Sequence, residues 1–251
     1  MVDEPLQPAF LLHARPYRDT SAIGHFLTLS DGRVDALVRG VRGRRSRHRA
    51  FLQPFTPLLL GWRGRGELKT AQRFEHAGTP VWLSGEALAC GWYANELLVR
   101  LLKPFLSEAL LFREYALLLP LLMDVEQREP ALRRFELTLL ATLGVVPMPD
   151  DFVQYDPESD YLWQEGLGFT PMMPHTAFSQ ELVWPHVNGR LLYHIGRDDW
   201  RDPQIRREAK QLTRQLLTPL LGNKPLQSRQ LLQGLFKRTG RHPMNEEISS
   251  E

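Results

Sequence analysis

The sequence predicts an α+β protein: an N-terminal OB-fold β-barrel followed by a mostly α-helical C-terminal domain. Three observations lead to this fold class. Short apolar or alternating runs bounded by turn residues fill the first 80 residues, the hydrophobic period becomes helical after Pro80, and 251 residues suit two small domains. We therefore predict domains at residues 1–80 and 81–251.

The first 80 residues contain five candidate strands. They start at Phe10 and cover residues 23–29, 34–38, 57–62 and 67–70. Asp31-Gly32 stands between two apolar runs, which is a strong hairpin signal, and a second hairpin is expected around Gly64 and Gly66. Five strands in about 70 residues suit the OB-fold, although an SH3-like barrel would give much the same pattern.

The sequence after Pro80 predicts helices and one irregular lobe between them. Helical stripes cover residues 84–103 and 107–123, a third segment has Pro130 in its expected first turn and Gly144 after its end, and a fourth begins at Asp202-Pro203 and ends near Gly222. A short last helix is expected from Ser228 to about residue 236. Residues 145–200 show only fragments of pattern.

Composition excludes several classes of protein. Cys90 is the one cysteine, so no internal disulfide is possible and a reducing compartment is expected. No apolar run approaches the roughly 18–20 residues of a membrane span, and the N-terminus lacks the features of a secretory signal. These features predict a cytoplasmic protein with no membrane partner.

Charge is distributed unevenly along the chain. Residues 1–80 hold 13 Arg/Lys against 7 Asp/Glu, residues 81–200 hold 8 against 17, and residues 201–251 hold 10 against 5. A difference of this size between segments indicates a polyanionic partner.

The basic residues cluster most densely between residues 33 and 73, where the sequence has 11 basic and 2 acidic residues. The candidate DNA-binding residues are Arg33, Arg39, Arg42, Arg44, Arg45, Arg47, Arg49, Arg65 and Lys69. On a small barrel we expect them to gather on one side, as in grooves that bind single strands. The nearby aromatic residues Phe51, Phe55, Trp62 and Phe74 either stack bases or form the barrel core.

Catalytic and metal-binding patterns are missing from the sequence. The eight histidines show no HExxH spacing, the glycine-rich run at 61–66 lacks the Lys-Ser/Thr of a phosphate loop, and one cysteine cannot supply a zinc ribbon. We predict a protein that is not an enzyme and has no cofactor and no metal.

Two further basic sets lie in the helical part. Arg133 and Arg134 stand beside Phe135, a combination that suits an acidic peptide with an apolar end. A candidate secondary basic stripe consists of Arg206, Arg207, Lys210 and Arg214. Such a stripe also forms the solvated face of many amphipathic helices.

Several segments, in this order and spacing, resemble the RecO family of bacterial recombination mediators over nearly the whole chain. They are RPYRDTS (15–21), GRV (32–34), LQPFTPL (52–58), GRGELKT (64–70), YANELL (93–98), LFREY (111–115), RFEL (134–137) and GNKPLQSR (222–229). The resemblance implies an N-terminal OB-fold and a C-terminal helical domain.

The resemblance also implies a role in the RecF pathway of DNA repair. Family members bind single- and double-stranded DNA, anneal complementary strands, and help load RecA onto DNA coated by single-strand-binding protein. The implied partners are RecR and the acidic C-terminal tail of single-strand-binding protein, for which Arg133 matches a tail-contacting position and Arg134 and Phe135 are its neighbours. A nucleoid-associated location follows. Some members carry a four-cysteine zinc module where residues 145–156 have no cysteine.

Two other hypotheses remain open. The first is a protein-only adaptor whose basic loop binds acidic proteins. The second is a hydrolase or nuclease whose site has no sequence motif.

Overall fold

Five strands at the N-terminus close into a barrel. The computed structural model describes residues 5–41, 51–172 and 185–228. The barrel strands are β1 (Gln7–Tyr17), β2 (Ser21–Thr28), β3 (Gly32–Val38), β4 (Pro57–Arg63) and β5 (Leu68–His76). They pair in the order β1-β2-β3-β5-β4, and β1 also pairs with β4. The crossover that makes β3 and β5 parallel gives an OB-fold-like barrel, as predicted, and disfavours the SH3-like alternative.

Local sequence explains the predicted turns. Gly32 follows Asp31 at the β2–β3 turn and has a φ of 62°, which glycine adopts at little cost. Alternation in β3 buries Val34, Ala36 and Val38 inside the barrel. β1 and β5 are longer than the apolar pattern predicted.

Within the described residues, five α-helices follow the barrel. They are α1 (Gly85–Leu101), α2 (Ala109–Leu121), α3 (Val125–Thr142), α4 (Gly189–Gly196) and α5 (Pro203–Leu221). The Asp202 side chain accepts the Gln204 N–H and caps α5 as predicted. Gly144 has a φ of 73° just beyond α3, also as predicted. The expected last helix after Ser228 lies outside the described residues.

The start of α3 differs from the prediction. Asp124 caps the helix by accepting the N–H groups of Glu126 and Gln127. Pro130 therefore lies inside α3 rather than in its first turn, which corrects the expectation. The helix tolerates this proline because the cap and the burial of residues such as Phe135 stabilise it on both sides.

Residues 145–200 are more regular than the sequence indicated. They contain a 3-10 helix (Pro149–Gln154) and the strands β6 (Asp160–Gln164), β7 (Gly168–Pro171) and β8 (His186–Asn188), paired in the order β7-β6-β8. Aromatic rings hold the lobe together: the ring centres of Phe152 and Phe169 are 5.5 Å apart, and those of Tyr155 and Tyr161 are 5.0 Å apart. Edge-to-face pairs of this kind supply the packing that the lobe needs without zinc-ligand cysteines.

One hydrophobic core fills the inside of the barrel, and a second, larger core joins the outer face of the barrel to the helices. Phe10, Leu12 and Leu27 project from the outer face of β1 and β2 into the core of the helices. A buried polar chain crosses the same boundary: Asn95 Nδ2 donates to the Leu12 carbonyl at 2.8 Å, and the Tyr115 hydroxyl donates to Asn95 Oδ1 at 2.6 Å. In the part of the chain that the structure describes, none of the helices has the length and apolar character that a membrane crossing requires.

Candidate nucleic-acid interface

The barrel has two ends that carry different basic residues. We call the end formed by the β1–β2 turn, the end of β3 and the end of β5 the hairpin end. We call the opposite end, formed by the β2–β3 and β4–β5 turns, the turn end. β1, β3 and β5 run in the same direction, so their carboxyl ends meet at the hairpin end.

Arg39 and the flanks of the arginine-rich segment lie at the hairpin end. Arg39 is exposed directly after β3. Val41 packs into the barrel core, and the Phe51 ring stacks on His76, at the end of β5, with a centre-to-centre distance of 4.6 Å. The candidate residues Arg42, Arg44, Arg45, Arg47 and Arg49 lie between these flanks and outside the described residues. Their assignment to DNA stays a prediction, and so does that of Arg39.

Arg33, Arg65 and Lys69 lie at the turn end, so the structure does not bring all the candidates together. Arg33 Nη1 donates to the Val99 carbonyl of α1 at 2.5 Å, and Nη2 lies 3.4 Å from Asp35. With 14% of its side chain exposed, Arg33 links the barrel to α1.

Lys69 also has contacts within the protein. Its Nζ donates to the Gly64 carbonyl at 2.9 Å and lies 4.6 Å from the ring centre of Phe105, in the α1–α2 connection. Arg65 is exposed in the β4–β5 turn. The DNA-binding roles of all three residues remain predictions, and the contacts of Arg33 and Lys69 give both a second, structural role.

The outer face of β1 carries residues that the sequence-based selection missed. Arg15 and Tyr17 follow His13 at alternate positions and share its face, because the register between His13 and Tyr17 is regular. Arg15 is exposed and Tyr17 is half-buried. The sequence signal for these residues was the hairpin around residues 18–20, because that hairpin places the outer face of β1 near the carboxyl end of β3.

A row of titratable groups crosses the same face. His25 Nδ1 lies 2.7 Å from Asp35 Oδ1, and the rings of His13 and His25 stack with centres 6.1 Å apart. Burial lowers the pKa of His13, helped by His25 and Arg15. Burial alone would raise the pKa of Asp35, but the hydrogen bond and charge of His25 and the charges of Arg33 and Arg15 leave it lowered. Near neutral pH the row therefore contributes an ionised carboxylate at Asp35, and the lowered pKa of His13 favours its neutral form.

The aromatic residues considered for stacking are mainly core residues. Phe55 and Trp62 are 5% and 6% exposed. Phe51 and Phe74 stack on each other at 5.4 Å and pack partly buried against the barrel core. Phe51, Trp62 and Phe74 match the barrel-core alternative, whereas Phe55 belongs to the core of the helices.

The residues predicted to bind an acidic tail differ in accessibility. Arg133 is buried, with its Nη1 2.9 Å from Glu136 and 3.0 Å from the Thr213 hydroxyl of α5. Arg134 is partly exposed, and its Nη1 donates to both carboxylate oxygens of Asp198 at 2.7 and 2.8 Å. Phe135 is fully buried in the helical core. Their partner-binding role stays a prediction, and of the three Arg134 has the most accessible side chain.

The basic stripe on α5 is only partly solvated. Arg206 donates to the Trp200 carbonyl at 2.6 Å, and Arg207 donates to Gln204 at 2.7 Å. Lys210 and Arg214 are exposed. The stripe remains a candidate secondary DNA surface.

The described residues contain no group of three His, Cys, Asp or Glu side chains arranged to hold a metal ion. Cys90 lies mostly buried on α1, and burial raises the pKa of its thiol to about 11. A thiol with such a pKa is protonated at neutral pH and is a poor nucleophile.

Comparison with known proteins gives a consistent result along the chain. Residues 1–79 match the family model described as Recombination protein O N terminal, and residues 83–230 match Recombination protein O C terminal. Among similar curated proteins is one named DNA repair protein RecO from Nitrosococcus oceani, 41% identical over 96% of this chain and 98% of its own. Proteins of the same name from Actinobacillus succinogenes (39% identical; 92% and 96% covered) and Pseudomonas aeruginosa (40% identical; 90% and 93% covered) are also similar.

Proposed function

The chain belongs to the RecO family of DNA repair proteins, and we propose that it acts as a non-enzymatic recombination mediator in the RecF pathway. In this role it binds single- and double-stranded DNA, anneals complementary strands and helps load RecA onto DNA coated by single-strand-binding protein. It works at the nucleoid in the cytoplasm.

One observation carries the DNA-binding part of this proposal. The chain leaves the barrel for the arginine-rich segment after exposed Arg39 and Val41, which packs on the barrel core, and it returns at Phe51, which stacks on His76 at the end of β5. In the sequence, five arginines follow Arg39 within ten residues, in the segment that joins β3 to β4 of a barrel of the type that binds single strands. A cluster of like charges without nearby acids favours a polyanion such as DNA.

The helical domain is the proposed site for protein partners. We infer that Arg134 makes the accessible contact with the acidic tail of single-strand-binding protein, exchanging Asp198 for a carboxylate of the tail. Arg133 and Phe135 support this contact from within α3. RecR is the second proposed partner, and RecA is linked through loading.

Salt dependence tests the DNA-binding proposal. If about five phosphates are neutralised, log Kd for a single strand should change with log salt with a slope near 3.5. We expect the combined Arg42, Arg44, Arg45, Arg47 and Arg49 change to Ala to reduce that slope to about 1 or less. Fluorescence anisotropy with a labelled oligonucleotide gives the slope.

A matched control changes Arg113, Arg190, Arg197 and Arg201 to Ala, which removes positive charge from exposed positions of the helical domain that are not assigned to DNA. An unchanged slope in the five-arginine variant contradicts the assignment of the loop. If oligonucleotides bind neither variant nor the unaltered chain, while acidic peptides bind the loop, the adaptor hypothesis replaces the proposal. An annealing assay with and without single-strand-binding protein then tests the mediator role.

A further inference from the structure

The β1–β2 hairpin brings an aromatic ring and three arginines to the hairpin end of the barrel. Arg15 and Tyr17 share the outer face of β1. The guanidinium carbon of Arg18 lies 5.3 Å from the centre of the Tyr17 ring. Arg39 leaves β3 at the same end, because the first residues of β2 pair with the last residues of β3.

Tyr17 differs from the other barrel aromatics in its surroundings. Trp62 and Phe55 are almost fully buried, and Phe51 and Phe74 pack on the barrel core. Tyr17 is half-buried, and among the described residues it belongs to neither hydrophobic core. The ring therefore needs another explanation than core packing.

The turn after Tyr17 carries an unusual residue for its backbone conformation. Arg18 has a φ of 52°, in the left-handed region that glycine adopts at lower cost. The arginine places its cation over the tyrosine ring despite this steric cost. Backbone strain of this kind is concentrated at functional sites.

We propose that Tyr17 is a stacking site for a base of single-stranded DNA, with Arg15 and Arg18 contacting the phosphates on either side. The proposal rests on the proposed function and deepens it, because it assigns a contact to the bases in addition to the charge of the arginine-rich segment. An aromatic ring flanked by cations is the arrangement by which proteins bind single strands without reading sequence.

The chemistry favours a single strand over a duplex. The faces of duplex bases are already stacked on their neighbours, so a ring on the barrel surface has no free base face to cover. Arginines contact the phosphates of both forms. The Tyr17 ring is therefore expected to contribute to binding of single strands and little to binding of duplexes.

The test separates base stacking from charge. Affinities of the full chain are measured for an oligothymidylate of about 20 nucleotides, for a duplex, and for an abasic sugar–phosphate chain of the same length. We expect Tyr17→Ala to weaken oligothymidylate binding by about 5- to 100-fold and to leave binding of the abasic chain nearly unchanged. Tyr17→Phe, which keeps the ring, should bind like the unaltered chain.

A second variant and a control distinguish loss of the aromatic ring from loss of folding. Tyr17→Val removes the ring but retains a residue suited to a strand, so it should show the same loss as Tyr17→Ala. Tyr193→Ala is the matched control, because the Arg197 guanidinium also lies over the Tyr193 ring, at 4.7 Å, but on α4 and outside the barrel. It should bind all three ligands normally.

The outcomes are distinct. Equal loss on oligothymidylate and the abasic chain, or no loss in either Tyr17 variant, overturns the stacking site while the proposed function stands. Failure of the unaltered chain to bind oligothymidylate overturns both.

Discussion

Arg133 and Glu136 form an ion pair inside the helical domain, one turn apart on α3. Their side chains are 7% and 1% exposed, and the Tyr93 hydroxyl donates to the second carboxylate oxygen of Glu136 at 2.8 Å. Burying two charges is favourable only when each has a partner. Arg133 is thus a structural residue whatever else it binds.

We predict that Arg133→Ala lowers the free energy of unfolding by about 3–5 kcal/mol, because Glu136 would remain buried without its cation. The measurement is urea denaturation followed by circular dichroism. Arg133→Met combined with Glu136→Gln should lose much less, since it removes both charges and keeps an acceptor for Tyr93. Equal losses in the two variants would show that side-chain volume, and not the unpaired charge, sets the cost.

At the residue scale the sequence located basic clusters better than it located accessible side chains. Charge counting singled out Arg33 and Arg133, yet Arg33 bonds to the Val99 carbonyl and Arg133 bonds to the Thr213 hydroxyl. Both of these partners are distant in sequence, so the sequence did not reveal the contacts. Phe135, which the sequence places beside the two arginines, has a core position in the fold. Tyr17 was overlooked because its position beside Arg39 depends on strand pairing.

The β2–β3 turn is the element that joins the barrel to the α1–α2 connection. Gly32 lies against the Leu106 backbone, the Phe105 N–H donates to the Arg33 carbonyl at 2.9 Å, and Thr28 bonds to the Gly32 carbonyl. A Cβ at Gly32 would collide with the Leu106 carbonyl oxygen. The turn therefore needs glycine for its conformation and for its closeness to the helices.

We predict that Gly32→Ala costs at least about 2 kcal/mol more stability than Gly166→Ala. Gly166 has a similarly positive φ, 77°, in the β6–β7 turn, and a Cβ there meets no neighbour within 4 Å. Gly166→Ala should cost only the conformational term of about 1–2 kcal/mol. Denaturant midpoints of the two variants give the comparison. Similar losses would mean that the α1–α2 connection moves aside without cost.

At the element scale, strong local signals were reliable and weak ones were not. Asp31-Gly32 and the Asp202 cap marked a turn and a helix start correctly, because a side chain or a dihedral preference acts within a few residues. The sequences of β6–β8 show no clear hydrophobic alternation, because each strand is at most five residues long. The pairing of these strands also joins residues as far apart as 160 and 188. Only the fold brings such segments together.

The barrel and helical domain are continuous at the scale of the whole molecule. Phe10 contacts Phe112 and Tyr115 of α2 with ring centres 5.4 and 5.2 Å apart, and Asn95 of α1 bonds to the backbone of β1. The two predicted domains at 1–80 and 81–251 thus share part of their hydrophobic core. Separating them would expose that core to water.

We predict one cooperative unfolding transition, with equal calorimetric and van't Hoff enthalpies. Phe10→Ala should lower stability by about 3–5 kcal/mol and shift the whole transition without splitting it. Differential scanning calorimetry makes both measurements, and Ala71→Ser, a substitution at a partly buried barrel position outside the shared core, serves as the control. Two resolved transitions in the unaltered chain would contradict this view.

The contact between β1 and α1 also fixes the relative position of two distant surfaces, the hairpin end of the barrel and α3. Two modules on a flexible tether sample many separations, so the effective concentration of one ligand near the other depends on linker length. Here the packing of β1 on α1 holds the hairpin end and α3 at a fixed distance from each other. A DNA strand bound at the hairpin end and a protein tail bound at α3 would therefore be kept at a fixed spacing. Lengthening the segment between β5 and α1 would leave that spacing unaltered.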